Sequence, residues 1–256
     1  MSEILHLELS YYEHRRSTKQ READCRRRVV HWGLPTEQVA LVCVDVWSEH
    51  YIQTHVDRTT EITLERIVPV QEAFRRLGAL VVHGPSPDCA RKYPEWLEEE
   101  IEGSQMFVPA WPPSEFRRKE GDYADFVRPC EQQSEEFDQM IRERSIVPEA
   151  APRGDDRVVV DGEALHRLLV RRGGLFLFYV GFAANMCVPF RDYGMRAMKD
   201  RGYDIILVED CTTAIEVADS AGDLALSRAC KIDAALTVGY TANSVDLLVA
   251  CHRVGA

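Results

Sequence analysis

Cys187 is the residue in this chain best placed to do covalent chemistry. It sits in Leu175–Ala214, LFLFYVGFAANMCVPFRDYGMRAMKDRGYDIILVEDCTTA. The apolar run Leu175–Val180 ends at Gly181, and a small-residue turn, Phe182–Met186, leads to Cys187, Val188 and Pro189. Proline suits the first turn of a helix, where its missing N–H goes unused. A helix N-terminus favours negative charge, so a thiol placed there is expected to have a lowered pKa and to be more nucleophilic. The competing reading is a small buried apolar residue, the usual state of a free cysteine.

Asp45 is the second candidate. It lies near the carboxyl end of VALVCVDV, Val39–Val46, a strand apolar enough to be buried on both faces. A charge there is costly unless it has a partner or a task, and open α/β sheets place ligands at that edge. The alternative is a turn or helix-capping aspartate. Trp47 and His50 follow in Trp47-Ser48-Glu49-His50-Tyr51, and His83 ends the next strand, so both histidines fall near the same edge. Neither D-x-H nor H-x-x-x-H spacing is present, so no metal and no other cofactor is predicted.

The elements that must position these residues alternate between strand and helix. Thr60–Leu77 is expected to be an amphipathic helix, kinked or started late by Pro69. Ala79–His83 reads as a strand, and about 84–130 as an irregular excursion rich in Trp, Pro and charge. Glu131–Arg144 follows as a helix, Arg157–Val160 as a short strand, and Gly162–Arg172 as a helix closed by Gly173-Gly174. After Leu175–Val180, one helix is expected from Val188 through Lys199, with Gly202 as its stop, then a strand at Tyr203–Val208. A helix over Ala221–Ala234, a last strand at Ala235–Val238 and a helix over Thr241–His252 close the chain. This alternation predicts an α/β fold: a single-domain, three-layer α/β/α arrangement around a mostly parallel, Rossmann-like sheet. Residues 1–38 read as an N-terminal extension with a basic segment around Arg15, Arg16 and Arg26–Arg28, and 39–256 as the domain proper.

Composition narrows the function classes. The 256 residues are 45% hydrophobic and 29% charged, with a formal net charge of −11. That balance argues against nucleic acid or an anionic membrane as partner. No apolar run reaches membrane-spanning length, and MSEILHLELS does not read as a signal peptide. Eight cysteines without paired spacing suit free thiols in a reducing cytoplasm.

The segment VGFAANMCVPFRDYGMRAMKDRGYDIILVEDCTTA resembles the cysteine-nucleophile turn of the isochorismatase-like hydrolases, which include nicotinamidases and carbamoyl-amide hydrolases. ALVCVDVW resembles the strand that carries their catalytic aspartate, and the two lie in the order and at about the separation of that group, over roughly residues 38–240. The resemblance is to a divergent branch. It implies Cys187 as nucleophile, Asp45 as the base that takes and returns its proton, and a cis peptide at Phe182–Ala183. It also implies that the N–H groups of Ala183 and Cys187 face the developing oxyanion. A pocket drawn from Trp47, His50, His83 and Asn185 would hold a small molecule, and the group commonly forms homodimers or homotetramers.

One departure stands out. The group carries a lysine at or just after its third strand, where this chain has Arg157-Val-Val-Val-Asp161. Lys119, Lys92 and Arg157 are the candidates for a replacement cation. The expected activity is hydrolysis of a small amide or related carbonyl through a Cys187 thioester. The alternatives are a binding or scaffold member that lost its lysine, and vinyl-ether hydrolysis of the isochorismatase type.

Overall fold

The computed structural model describes residues 3–14, 19, 21–98, 111–127 and 134–254. Its strands are β1 (Ile4–Tyr12), β2 (Arg27–Pro35), β3 (Val39–Val44), β4 (Leu80–Gly84), β5 (Arg157–Val158), β6 (Phe176–Gly181), β7 (Asp204–Val208) and β8 (Tyr240–Ala242). They form one eight-stranded sheet in the order β2-β1-β8-β7-β6-β3-β4-β5. From β8 to β5 every neighbour is parallel, and β1 pairs antiparallel with both β8 and β2. Strands β1 and β2 therefore form an antiparallel pair that extends the sheet. Leu5, Leu7 and Leu9 of β1 are buried and share a core with Leu247, Ala250 and Cys251. Arg15 and Arg16 lie outside the described residues.

Side chains alternate across a strand, so a strand buried on both faces feeds two cores. In β3, Val39, Leu41 and Cys43 enter one core, and Ala40, Val42 and Val44 the other. Strands β6 and β7 divide the same way, with Phe178, Val180, Ile206 and Val208 on one side and Leu177, Tyr179, Ile205 and Leu207 on the other. Each such residue contributes about 1.5–3 kcal/mol on full burial.

The helices are α1 (Gln53–Ile62), α2 (Val68–Arg76), α3 (Pro87–Ala90), α4 (Ser114–Arg118), α5 (Glu135–Glu143), α6 (Gly162–Arg172), α7 (Cys187–Phe190), α8 (Met195–Asp200), α9 (Ala225–Asp233) and α10 (Ser244–Arg253). Helices α2 and α10 pack against each other on the first face, and α6 and α8 on the second.

Three expectations change. Helix α1 begins well before Thr60 and continues into α2 through a π-turn at Thr63–Ile67, which accommodates the hydrogen bond Pro69 cannot make. The last strand is β8, not Ala235–Val238, which forms a π-turn ending α9. The helix expected from Val188 through Lys199 is broken into α7 and α8. At the break, Asp192 accepts the Gly162 N–H at 2.8 Å, and the Tyr193 hydroxyl donates to Pro85 O at 3.0 Å. Apolar periodicity is the same across this gap as through an unbroken helix, so the sequence pattern does not reveal it.

Candidate active site

Strand β6 ends on Gly181 at φ 107°, and a Cβ there would come within 2.0 Å of Val44 O. Only glycine permits that approach of β6 to the end of β3. The next bond, Phe182–Ala183, is cis. The Thr212 hydroxyl donates to Gly181 O at 2.6 Å, and the Ala184 N–H to Thr213 O at 3.0 Å, fixing the turn from β7. Asn185 fixes it again: its side chain donates to Ile215 O and accepts from Ile215 N, both at 3.0 Å. Cys187 opens α7 beyond this turn.

Across from it, the chain leaves β3 at Asp45, which adopts φ 45°, a left-handed conformation that aspartate tolerates better than most residues. The Asp45 N–H donates to Gly84 O at 3.1 Å, so β4 holds the turn. Asp45 is 1% exposed. Its Oδ2 accepts from Arg191 Nη2 at 3.0 Å and Nε at 3.3 Å, while Oδ1 has no hydrogen-bond partner. Arg191 reaches it because the helix stops at Phe190 and the chain turns away.

Cys187 and Asp45 are close enough to perturb each other's titration. Burial raises the Asp45 carboxyl, offset in part by Arg191 and by the neighbouring Cys187 thiol. Burial, then the Asp45 charge, pushes the Cys187 thiol up to about 12, with Arg191 and a backbone contact to Ala183 acting in the opposite direction. The expected lowering by a helix N-terminus is reversed, because α7 is a single turn and burial of the thiol outweighs it. At neutral pH Cys187 therefore holds its proton as a thiol, and Arg191 is the main group favouring the ionised form of Asp45.

A cavity of about 200 Å³ opens beside the thiol. Phe182, Ala183, Met186 and Cys187 form one wall, and Trp47, His50, Tyr51 and His55 another. Phe137, Met140 and Ile141 of α5 cover it, with Arg144 and Ile215 completing the lining. Arg144 stacks on the Trp47 ring at 3.9 Å.

The sequence-predicted residues divide. Cys187, Asp45, Phe182, Ala183, Trp47 and His50 are brought together here. His83 is not: buried on the α2 face, it bonds Asp156 at 3.0 Å and does not line the cavity. Asn185 braces Ile215 without lining the cavity. Lys92 donates to Arg144 O at 2.7 Å, Lys119 stacks on Phe116 at 3.7 Å, and Arg157 pairs with Asp155 at 2.9 Å and Glu98 at 3.4 Å. None of these cations pairs with Asp45; Arg191 takes that position. Asp161, which stands where the lysine was expected, caps α6 by accepting the Ala164 N–H at 2.7 Å.

Arg191, Arg144 and His55 gave no sequence signal, since their roles depend on a helix break, a loop and an early helix start. The spacing of Phe137, Met140 and Ile141 is the one legible hint, an apolar stripe on an otherwise charged helix. Among the described residues no cluster of three or more His, Cys, Asp or Glu side chains forms a metal site. No described helix is long and apolar enough to cross a membrane.

Comparison with known proteins agrees with this architecture. A family model described as Isochorismatase domain matches residues 39–235. A cysteine hydrolase from Pseudomonas syringae pv. phaseolicola 1448A shares the fold at a TM-score of 0.55 and 16% identity, covering 86% of this chain and 95% of that one. An N-carbamoylsarcosine amidase from Thermoplasma acidophilum aligns at 0.42 and 20% identity, over 81% of this chain and 96% of that one. Nicotinamidase PncA from Bacillus subtilis aligns at 0.44 and 13%, over 80% and 99%. No curated protein sequence matches the chain.

Proposed function

The chain belongs to the isochorismatase family, and from that premise we propose that it is a cysteine hydrolase cleaving a small amide or related carbonyl compound. Asp45 carries this reading: one oxygen is held by Arg191 and the other is unpartnered, beside the thiol of Cys187 and a small cavity.

In the proposed reaction the Cys187 proton passes to Asp45 Oδ1 as Sγ attacks the substrate carbonyl carbon. Negative charge moves to the carbonyl oxygen, which the N–H groups of Ala183 and Cys187 stabilise; losing one such donor typically costs about 3–4 kcal/mol of barrier. Asp45 then returns its proton to the leaving nitrogen, the C–N bond breaks, and an acyl thioester remains. Water attacks the thioester, giving its proton to Asp45. Sγ leaves and is reprotonated, releasing a carboxylic acid. Arg191 keeps Asp45 ionised before each attack, the task the family gives to a lysine. The raised thiol pKa fits this scheme, since the proton leaves only as the carbon–sulfur bond forms.

The test is a panel of small amides assayed for released ammonia or amine. Cys187→Ala is expected to lower turnover by about 10⁴-fold or more. Equal turnover by both proteins excludes the thioester. Dependence on Asp45 but not Cys187 would instead support vinyl-ether hydrolysis. A thiol that alkylates slowly, with no substrate turned over, would support a binding role. Association as a homodimer or homotetramer and a cytoplasmic location belong to the same reading, the first checked by sedimentation and the second by fractionation.

A further inference from the structure

Resting on the hydrolase reading, we infer that the substrate is a small carboxylate, its anion received by Arg144 and the Nε2–H groups of His50 and His55 while its scissile carbonyl lies at Cys187.

Arg144 is the first reason. It is 9% exposed and lines the cavity. Its Nη2 donates to the Ser86 hydroxyl at 2.9 Å, but Nε has no hydrogen-bond partner. Among the described residues no carboxylate pairs with it, and Arg191 already neutralises Asp45. Asp45 and Asp88 act on it only at a distance, so among the described residues this buried guanidinium has no carboxylate bonded to it, which is unfavourable unless a ligand supplies one. Stacking on Trp47 fixes the guanidinium plane, and Lys92 fixes the Arg144 carbonyl behind it.

The histidines are the second reason. The Ile52 N–H donates to His50 Nδ1 at 3.1 Å. Arg58 Nη2 lies 3.4 Å from His55 Nδ1, and a guanidinium can only donate. With both Nδ1 atoms accepting, each neutral ring carries its proton on Nε2. Burial lowers the pKa of both, that of His55 to about 4, so both are neutral at pH 7. The polar groups on the cavity are then donors: a guanidinium, two imidazole N–H groups and the backbone N–H of Cys187. Tyr51 adds a neutral hydroxyl, and walls such as Met140 and Ile141 are apolar, so no side chain in the lining is an anion. A donor-lined, apolar cavity of about 200 Å³ suits a compact acid rather than a neutral or cationic amide, and is below the range of drug-sized sites.

The test uses full-length Cys187→Ala protein, which binds without turnover, titrated calorimetrically with succinamate and with its neutral counterpart succinamide. Succinamate is expected to bind at least about tenfold more tightly, as a charge-assisted hydrogen bond implies. Adding Arg144→Met should abolish that preference while leaving succinamide affinity unchanged, and Arg144→Lys should restore part of it. Should Arg144→Met fail to fold, Arg144→Gln, which keeps hydrogen-bond donors without the charge, serves as the second variant and should lose most of the preference. Equal affinities, no binding of either probe, or a preference that survives Arg144→Met overturns the inference. Preferential binding of succinamate with no amide hydrolysed by wild type would defeat the hydrolase reading alone and still support the anion site.

Discussion

Two buried aspartates are each bonded to an arginine, Asp45 just past the carboxyl end of β3 and Asp156 just before β5, and they behave in opposite ways. Asp156, 2% exposed, accepts from Arg75 Nε at 3.1 Å, Arg75 Nη2 at 2.6 Å, the Arg153 N–H at 3.1 Å and His83 Nε2 at 3.0 Å. Burial would raise its pKa, but the bonds from His83 and Arg75 prevail and it is lowered. Asp45, 1% exposed, has donors on Oδ2 alone, and burial prevails. What separates a carboxylate that holds the fold together from one that can move a proton is unused acceptor capacity next to a cavity. Depth of burial does not distinguish them, and neither does an arginine.

The sharpest way to break that contrast is to make the same substitution at both positions. Asp45→Asn removes the base and is expected to lower turnover by about 10²–10⁴-fold. Its effect on thermal unfolding should be the smaller of the two, because half of the carboxylate has no partner to lose. Asp156→Asn should do the reverse. Stripping the charge partner of Arg75 and His83 is expected to cost about 3–5 kcal/mol, or roughly 6–20 °C in Tm for a domain of this size. Turnover by the fraction that stays folded should be near wild type. If Asp156→Asn abolishes activity in folded protein, the division between the two networks is wrong.

Acidification should also separate them, with a smaller effect. Asp156 has a lowered folded pKa, so its stabilisation is present above its unfolded value of about 3.9 and is lost as pH falls. His83 is held neutral by burial, so the unfolded chain takes up its proton first and stability begins to fall below about pH 6.5. Asp45 has a raised folded pKa, and the sign reverses: the folded state binds its proton more tightly, so acidification relieves a cost. Activity should respond differently again, because in the proposed scheme only ionised Asp45 accepts the thiol proton. The acid limb of the rate profile should lie above the ordinary carboxylate range, and Arg191→Met should move it higher still while Arg191→Lys largely restores it. An acid limb that does not move in Arg191→Met would remove Arg191 from the catalytic scheme.

How far these assignments were legible from sequence follows from how local each one is. Cys187 and Asp45 sit at the ends of unbroken apolar strands, where period-2 burial and the strand-edge rule single out a polar residue. The same rule also points to His83, but its ring is engaged by Asp156, a partner 73 residues away that strand-edge position does not reveal. The cation was misassigned for a different reason. Lys119 and Lys92 lie on the irregular excursion and Arg157 on the strand where the lysine is expected, whereas Arg191 lies inside a stretch whose amphipathic pattern reads as continuous helix. Only the tertiary bonds of Asp192 and Tyr193, to Gly162 and Pro85, break that helix. Arg144 and His55 depend on contacts across the fold, with Ser86 and Arg58, that sequence spacing does not encode.

Asp161 provides the smallest and most discriminating effect. It occupies the place where a catalytic lysine was expected, so a departure in charge there reads at first as damage to the site. Its Oδ1 instead accepts the Ala164 N–H at the start of α6, the ordinary work of a helix N-cap. Replacing it should then behave as loss of a cap: Asp161→Ala is expected to cost about 1 kcal/mol and roughly 2–4 °C in Tm. kcat and its pH profile should stay unchanged, and Asp161→Asn or Asp161→Ser should recover most of the stability, because both cap without the charge. A shifted acid limb in Asp161→Asn would mean that this carboxylate does act on the Asp45–Cys187 pair, and that Arg191 alone does not account for the missing lysine.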